Sequence, residues 1–282
     1  MISYPIQIAG IQTRVMQAGA DGAPIVFVHG TGGRADRWIR NLEPMAAAGY
    51  RAYAFDLPGH GFATKGPGPD YSVPGYAKVL EGFLDAIGAD SAVVVGTSLG
   101  GHVSARFATD NPNRVAGLVL SGSMGLVPIG DEARGRIQKG ANNQTREGVI
   151  GKLERVIFDQ KHVTAEFIDE EYMINNSPGA KESFQSLGDY IAGRLDDDVV
   201  GERLASLGGK FPTLLVWGEE DKTVPVSVGE TTHAMVKAPL VKIARAAHTP
   251  YYEEADAFNA VLLDFLAGKL GSRAVAGVTY AL

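Results

Sequence analysis

Ser98 lies in a sequence pattern that can activate a hydroxyl group for nucleophilic attack. Residues 96–100 read GTSLG, which matches G-x-S-x-G. The pattern follows an apolar run and opens a segment with helical spacing, which is the strand–turn–helix setting of a nucleophile elbow. In a chain this rich in glycine, roughly 0.2 such matches are expected by chance. The setting, more than the pattern, therefore favours a nucleophilic serine over a serine in a surface turn.

A serine hydroxyl needs a base that takes its proton, and the base needs a carboxylate that orients it. His248 follows the last apolar run, and Asp221 follows the preceding one. Each residue comes just past the carboxyl end of a predicted strand, where the sites of open parallel sheets gather. The sequence therefore predicts a catalytic triad of Ser98, His248 and Asp221, with Glu219 and Glu220 as rivals of Asp221 for the role of the acid.

A glycine-rich turn, residues 29–33 (HGTGG), ends the first predicted parallel strand. Such a turn can point a backbone N–H at the oxyanion that develops during acyl transfer. We expect the amides of Thr31 and Leu99 to form this oxyanion hole. His29 is expected to shape the turn and not to act as the base.

Short apolar runs alternate with longer mixed segments along the chain, and this alternation indicates an α/β fold. The predicted strands are Ile25–His29, Tyr50–Phe55, Ser91–Gly96, Val115–Ser121, Thr213–Trp217 and Leu240–Ala244, preceded by a hairpin of Ile2–Ile8 and Gln12–Gln17. The predicted helices are Tyr76–Ile87, Leu99–Asp110 and Asp256–Leu270. Most of the strands are continuously apolar, as buried parallel strands are.

The alternation stops between residues 126 and 208, where the sequence has helical patterning and no convincing strand. We interpret residues 126–208 as a helical cap inserted into a core of residues 1–125 and 209–282. The core is expected to be a mostly parallel, eight-stranded sheet flanked by helices. Residues 271–282 are expected to form a loose tail.

Composition excludes several classes of protein. The chain has 282 residues, a formal net charge of −6 and no cysteine. Nucleic-acid binding therefore has no electrostatic support, and a disulfide or thiolate metal site is excluded. We find no signal peptide, no long apolar span and no metal-binding spacing. We expect a cytoplasmic enzyme that acts on a small molecule without a cofactor, a metal, a nucleic acid or a membrane; a homo-oligomer stays open.

The chain resembles the α/β-hydrolase superfamily, whose triad has the same chain order. The matching segments are His29-Gly30, residues 56–61 (DLPGHG), residues 96–101, Asp221 with Val224-Pro225, and His248. These segments span most of the chain. The resemblance implies an α/β-hydrolase fold and hydrolysis through the predicted triad.

Within that superfamily, the chain is most similar to the meta-cleavage product hydrolases, which cut carbon–carbon bonds in ring-fission products. The similar segments are residues 123–128, residues 158–160 with Thr164, and residues 254–259. Three positions depart from that subfamily. Thr97 stands where it usually has Asn, Thr249 where it has Trp, and Glu171 near its substrate-binding Arg. The resemblance therefore leaves open whether a carbon–carbon bond or a carboxylic ester is cut.

The residues expected around the substrate come from the two predicted turns and from the cap. They are Gly30, Gly32, Arg34, Trp38, Leu126, Phe158 and Thr249, and Val127, Ile157 and Phe167 are further candidates for the wall of the pocket. Arg34 and Arg37 are expected to be exposed, although either could supply a cation for an anionic substrate.

Two other functions compete with hydrolysis. Residues 30–35 fit the dinucleotide-binding pattern G-x-G-x-x-A, and Asp56 could hold a ribose, as in an NAD(P)-dependent oxidoreductase. Pro44 argues against that fold, because it lies where the crossover helix should run. The second alternative is a ligand receptor that keeps the hydrolase fold without catalysis.

Overall fold

The computed structural model describes residues 1–282, which form a nine-stranded sheet in the order β1-β2-β4-β3-β5-β6-β7-β8-β9. The strands are β1 Ile2–Ile8, β2 Ile11–Ala18, β3 Ala23–Val28, β4 Tyr50–Phe55, β5 Ala92–Thr97, β6 Val115–Ser121, β7 Thr213–Gly218, β8 Leu240–Ile243 and β9 Val278–Ala281. The six strands from β3 to β8 are parallel, while β1, β2 and β9 are antiparallel to their neighbours. This is the α/β-hydrolase fold that the resemblance implies.

Eleven α-helices accompany the sheet. They are α1 Ile39–Ala47, α2 Val73–Ala86, α3 Leu99–Asp110, α4 Gly130–Asn142, α5 Arg146–Val156, α6 Ala165–Asn175, α7 Ala180–Arg194, α8 Gly201–Ser206, α9 Val226–Val236, α10 Pro250–Glu253 and α11 Ala255–Leu266. None of them has the length and apolar character needed to cross a bilayer.

The centre of the sheet is apolar on both faces. All six residues of β5 are buried, and separate hydrophobic clusters of 39 and 22 buried residues pack on the two sides of the sheet. A parallel strand covered by helices on both faces cannot alternate apolar and polar residues, which explains its continuous apolar run. The strand that leads to Ser98 is thus held rigidly in the middle of the core.

The carboxyl-terminal segment is a correction to the sequence analysis, which expected eight strands and a loose tail. Residues Val278–Ala281 form β9 and pair antiparallel with β8, so that Ile243 faces Val278. The strand has only four residues, too few to show a period in the sequence. Its pairing covers the backbone groups of β8 that would otherwise form an open edge.

Between β6 and β7 the chain forms five α-helices, α4 to α8, and no strand. Residues of this segment and residues at the carboxyl ends of the strands line one cavity. We therefore retain residues 126–208 as the proposed cap over the core.

Helix α1 is a second correction, because it forms around Pro44, which was expected to oppose a helix there. Proline has no N–H to donate to the carbonyl four residues earlier, that of Arg40. Asn259 of α11 replaces the missing donor, since its Nδ2 lies 2.9 Å from the Arg40 carbonyl oxygen. The Oδ1 atom of Asn259 accepts from Asn41 Nδ2 at 2.8 Å. The helix thus tolerates proline because a buried side chain of the neighbouring helix satisfies its free carbonyl.

We predict that Asn259→Ala lowers the free energy of unfolding by ~1–3 kcal/mol, because it removes the donor of the Arg40 carbonyl from a part-buried hydrogen bond. In a Pro44→Ala background, the restored backbone N–H can serve the Arg40 carbonyl, so the same substitution should cost less. Urea unfolding of the four variants of this double-mutant cycle measures the difference. An equal cost in both backgrounds would contradict the pairing.

Candidate active site

Ser98 lies in a strained turn between β5 and α3. Its backbone has φ 53° and ψ −121°, a conformation that L-residues rarely adopt. The flanking glycines permit the turn. A Cβ on Gly96 would lie 2.3 Å from the Gly100 carbonyl oxygen, and a Cβ on Gly100 would lie 2.3 Å from the carbonyl oxygen of Val28. The G-x-S-x-G pattern is therefore required by the close approach of backbone to backbone around the serine.

Asp221 and His248 form a hydrogen-bonded pair. His248 Nδ1 lies 2.7 Å from Asp221 Oδ2, and Asp221 Oδ1 accepts from the amides of Thr223 and Val224 at 2.8 and 2.9 Å. Gly122 makes room for the pair, because a Cβ there would lie 3.1 Å from Asp221 Oδ2 and 3.2 Å from His248 Nδ1. This arrangement leaves Nε2 of the imidazole available as a base. The hydrogen bond from Ser98 Oγ to that nitrogen stays a prediction.

The two rivals for the acid role lie elsewhere. Glu219 is exposed. Glu220 accepts from the amide of Ala246 at 3.0 Å and so supports the loop before His248. Neither of them contacts the imidazole, so the structure pairs His248 with Asp221.

Three other histidines are buried and engaged with the backbone. His29 Nε2 accepts from the Leu57 amide at 2.9 Å, His60 Nδ1 lies 3.0 Å from the Pro58 carbonyl oxygen, and His102 Nε2 lies 2.7 Å from that of Asp198. Burial lowers the pKa of His29 and His102 to about 4 and that of His60 to about 3. These rings are structural and neutral, as the sequence analysis expected for His29.

The glycine-rich turn lies directly against the serine. A Cβ on Gly30 would lie 2.8 Å from Ser98 Cβ and 3.4 Å from Ser98 Oγ, and the Gly33 amide closes the turn on the Gly30 carbonyl at 2.9 Å. Thr31 lines the cavity next to Ser98. Leu99 is the first residue of α3, where a helix amide has no partner within the helix. We propose that these two amides, of Thr31 and Leu99, receive the oxyanion.

A cavity of about 560 Å³ connects these groups, and both Ser98 and His248 line it. Of the residues expected around the substrate, Gly30, Gly32, Thr249, Val127, Ile157 and Phe167 also line it. The volume falls within the range of sites for small molecules. The cations Arg136, Arg155 and Lys222 also contribute to the lining, but they are exposed to solvent, which screens their charge.

Four residues expected around the substrate lie outside the cavity. Trp38 is completely buried beneath Tyr251, with ring centroids 3.9 Å apart. Leu126 is 1% exposed within the main hydrophobic cluster, and Arg34 is buried in ion pairs. Phe158 is 46% exposed and faces solvent instead of the cavity. The sequence placed these residues near the right turns but could not show which way each side chain points.

The expected exposure of Arg34 and Arg37 is also wrong, because both contact a buried carboxylate that the sequence analysis had flagged. Glu171 of α6 is 1% exposed and accepts from Arg37 and from Lys152. Arg34 Nη1 lies 3.8 Å from the same carboxylate. Lys152, on helix α5, was missed, since nothing in its sequence neighbourhood marks it; only the packing of α5 against α6 and the turn at Gly32 brings it to the site.

Glu253 connects the cap with the loop that carries His248. Its Oε1 accepts from the Ala247 amide at 2.9 Å and from Thr249 Oγ1 at 3.0 Å. Its Oε2 accepts from the amides of Phe158 at 2.5 Å and Asp159 at 3.4 Å. Burial raises the pKa of Glu253, although these donors oppose the rise.

The main chain makes the same connection. The amide of His248 donates to the carbonyl of Val156, at the end of α5, at 3.0 Å. The imidazole is therefore positioned by Asp221 on the core side and by the cap on the other side.

Asp56 does not have the freedom that a ribose-binding carboxylate needs. It is completely buried, and its carboxylate accepts from Arg14 at 2.9 Å, from the Ala35 amide at 2.7 Å and from the Phe62 amide at 3.0 Å. The turn of residues 30–35 is thus pinned to the end of β4, and no nucleotide is needed to explain it.

Comparison with known proteins identifies the family of this chain. The family described as alpha/beta hydrolase fold matches residues 23–255. The chain belongs to the α/β-hydrolase family. It is a hydrolase of that family, and its fold and its sequence motifs are those that the resemblance implied.

Three similar proteins illustrate the range of this family. The chain is 32% identical over 263 residues to a dihydrolipoyllysine-residue acetyltransferase component of an acetoin cleaving system from Cupriavidus necator, covering 93% of this chain and 68% of the relative. It is 30% identical over 272 residues to a 2-hydroxy-6-oxononadienedioate/2-hydroxy-6-oxononatrienedioate hydrolase from Dechloromonas aromatica, covering 91% of each. A meta-cleavage product hydrolase from Pseudomonas fluorescens superposes with a TM-score of 0.82 at 26% identity, covering 94% of this chain and 97% of the other.

We predict that Asp221→Asn lowers kcat by ~10³–10⁴-fold, because the amide can no longer hold the imidazole in the productive tautomer. Glu219→Gln, the same change on an exposed neighbour, is the matched control and should leave kcat within a factor of about two. Steady-state kinetics on any turned-over ester measures both. Near-full activity in Asp221→Asn together with inactivity in Glu220→Gln would transfer the acid role to Glu220.

We predict that Glu253→Gln lowers kcat about tenfold with little change in KM. The amide keeps one acceptor oxygen and turns an N–H toward backbone donors, so the loop of His248 loses its fixed position. Glu254→Gln is the control, since its partly exposed carboxylate contacts only Arg245, at 3.7 Å. A rise in KM with unchanged kcat would instead assign Glu253 to substrate binding.

Proposed function

We propose that this hydrolase cleaves a carboxylic ester or related acyl bond of a small, partly apolar substrate through Ser98, His248 and Asp221. The observation that carries the proposal is that the strained turn of Ser98 and the imidazole of His248, which is paired with Asp221, line the same cavity. A strained turn of this kind holds the serine Oγ at the head of the helix, where a substrate carbonyl can approach.

The proposed reaction follows from these positions. His248 Nε2 takes the proton of Ser98 while Oγ attacks the carbonyl carbon, and the amides of Thr31 and Leu99 stabilise the oxyanion. The protonated imidazole then gives its proton to the leaving alcohol, and an acyl-enzyme forms. Water, deprotonated by the same imidazole, releases the acid and restores the serine.

Ester cleavage needs no functional group beyond the triad and the two amides of the oxyanion hole. The walls of the cavity include Val127, Ile157 and Phe167, which suit an apolar acyl or alcohol portion. The position after the base, Thr249, carries a small side chain bonded to Glu253. Its size leaves room in the cavity instead of presenting an aromatic ring to the substrate.

Carbon–carbon hydrolysis is the second candidate, and the names of the relatives favour it. A relative that is 30% identical over 91% of the chain is a hydrolase of 2-hydroxy-6-oxononadienedioate. That chemistry needs the substrate to be held as a dienolate and ketonised before the bond is cut. It would use the same serine and base, so the triad alone does not distinguish the two reactions.

The deciding measurement is the ratio of kcat/KM for a ring-fission dienone to that for a short p-nitrophenyl ester. We expect a ratio below one, because the cavity provides what ester cleavage needs. A ratio well above one would replace the ester proposal with carbon–carbon cleavage.

Ser98→Ala should lower kcat on whichever substrate is turned over by at least ~10³-fold, since triad members act as a unit. Ser206→Ala, which removes an exposed hydroxyl bonded only to the Arg203 carbonyl, is the matched control. If wild-type protein binds these ligands but turns none over, the chain is a receptor on a hydrolase fold and the proposed catalysis is wrong.

A further inference from the structure

One wall of the cavity is built from a buried carboxylate with a cation on each oxygen. Lys152 bonds to Oε1 of Glu171, and Arg37 bonds to Oε2. All three residues line the cavity that holds Ser98. Their side chains are 23%, 13% and 1% exposed for Lys152, Arg37 and Glu171, respectively.

This group lies against the oxyanion turn. Lys152 Nζ is 3.3 Å from the Gly32 carbonyl oxygen. A Cβ on Gly32 would lie 2.7 Å from that nitrogen and 3.8 Å from Glu171 Oε1. The charged groups of Lys152 and Glu171 therefore lie beside the proposed oxyanion hole, where they can contact a substrate whose carbonyl is bound there.

The charges compensate one another. Arg34 extends the group, since it lies 3.8 Å from Glu171 Oε2, 2.7 Å from Glu170 Oε2 and 3.0 Å from Asp36 Oδ1. Arg14 lies 3.6 Å from Asp36 Oδ1 and 2.9 Å from Asp56 Oδ2, so four cations face four carboxylates in this group. Burial alone raises the pKa of Glu171, but Lys152, Arg37 and Arg34 outweigh it and lower that pKa to about 2. Glu171 is therefore ionised at neutral pH and acts as the counter-ion of these cations.

A carboxylate from a substrate would meet Glu171 here. Each oxygen of Glu171 already holds a cation, so a second carboxylate would have to lose its hydration beside cations whose charge is already neutralised, and their attraction would not repay that cost. An uncharged acceptor has a much smaller desolvation cost. The ammonium of Lys152 has three N–H donors, and Glu171 and Gly32 engage two of them.

We propose that Glu171 is a built-in counter-ion that makes this wall selective for an uncharged hydrogen-bond acceptor and rejects a free carboxylate. The inference rests on the proposed function and narrows its substrate class. The substrate carries an uncharged carbonyl, amide, hydroxyl or ester group in addition to the scissile bond, in contrast to the dienedioates that name the relative from Dechloromonas aromatica.

The test uses two substrates that differ only in charge. They are the mono-p-nitrophenyl ester of adipic acid and the same ester with its free acid converted to the primary amide. Wild-type protein should prefer the amide by at least tenfold in kcat/KM. Glu171→Gln removes the negative charge at nearly constant shape, and it should raise kcat/KM for the acid at least tenfold relative to the amide.

Glu170→Gln is the matched control. Glu170 is the adjacent residue on the same helix, its side chain is half exposed, and it pairs with Arg34 outside the cavity. It should leave the acid-to-amide ratio unchanged. An equal change in both variants would show that the net charge of the protein, and not the position of Glu171, determines the preference for the amide over the acid.

Binding separates this inference from the proposed catalysis. In a Ser98→Ala background, equilibrium dialysis measures the affinity of both esters without turnover. Preference for the amide that Glu171→Gln abolishes supports the inference even if the wild-type protein cleaves neither ester. Turnover of esters with equal affinity for acid and amide overturns the inference and leaves the proposed hydrolysis intact.

Glu171→Gln leaves two partly buried cations, Lys152 and Arg37, without a counter-ion, so its fold is checked by circular dichroism and thermal unfolding. If it does not fold, the wild-type ratio and the Ser98→Ala affinities decide the matter. Wild-type preference for the acid would overturn the inference without any variant at position 171.

Discussion

The close packing of main chain around Ser98 is the constraint on which the rest of the site depends. The serine holds φ 53° only because Gly96 and Gly100 let three backbone segments approach without side chains between them. That conformation is unfavourable by itself, and a buried parallel strand on one side and helix α3 on the other must hold it. The apolar core around β5 therefore contributes to the chemistry, because it stabilises the strained backbone that holds the hydroxyl of Ser98 in the cavity.

The loop that carries the base, His248, is held in place from two sides. Asp221 fixes the imidazole of His248 from the end of β7, while Glu253 and the carbonyl of Val156 tie the same loop to the cap. A movement of the cap would therefore move the base as well as the roof of the cavity. Access to the cavity and the position of the base are therefore coupled through a small set of hydrogen bonds. Glu253 accepts four of these hydrogen bonds.

The sequence predicted those features of the structure that depend on local pattern. The continuous apolar runs predicted the parallel strands, and the order of Ser98, Asp221 and His248 predicted which residues gather at the strand ends. It failed where the outcome depends on distant partners. The edge strand of residues 278–281 forms by pairing with β8, helix α1 accepts Pro44 because of Asn259, and Arg34 is buried because α6 supplies carboxylates. No period or motif encodes such contacts.

The buried charges around Glu171 are difficult to explain as a source of stability. Desolvation of an ion pair generally costs about as much as its attraction returns, and well-packed apolar residues of similar volume often serve a fold as well or better. A network that spans the cap and the core and opens onto the cavity has another consequence: it places fixed charges of both signs beside the Gly32 turn. Fixed, preoriented charges act most strongly where water is excluded. The proposed selection of uncharged substrate groups at this wall would give the cost of burying Glu171 a role in the reaction.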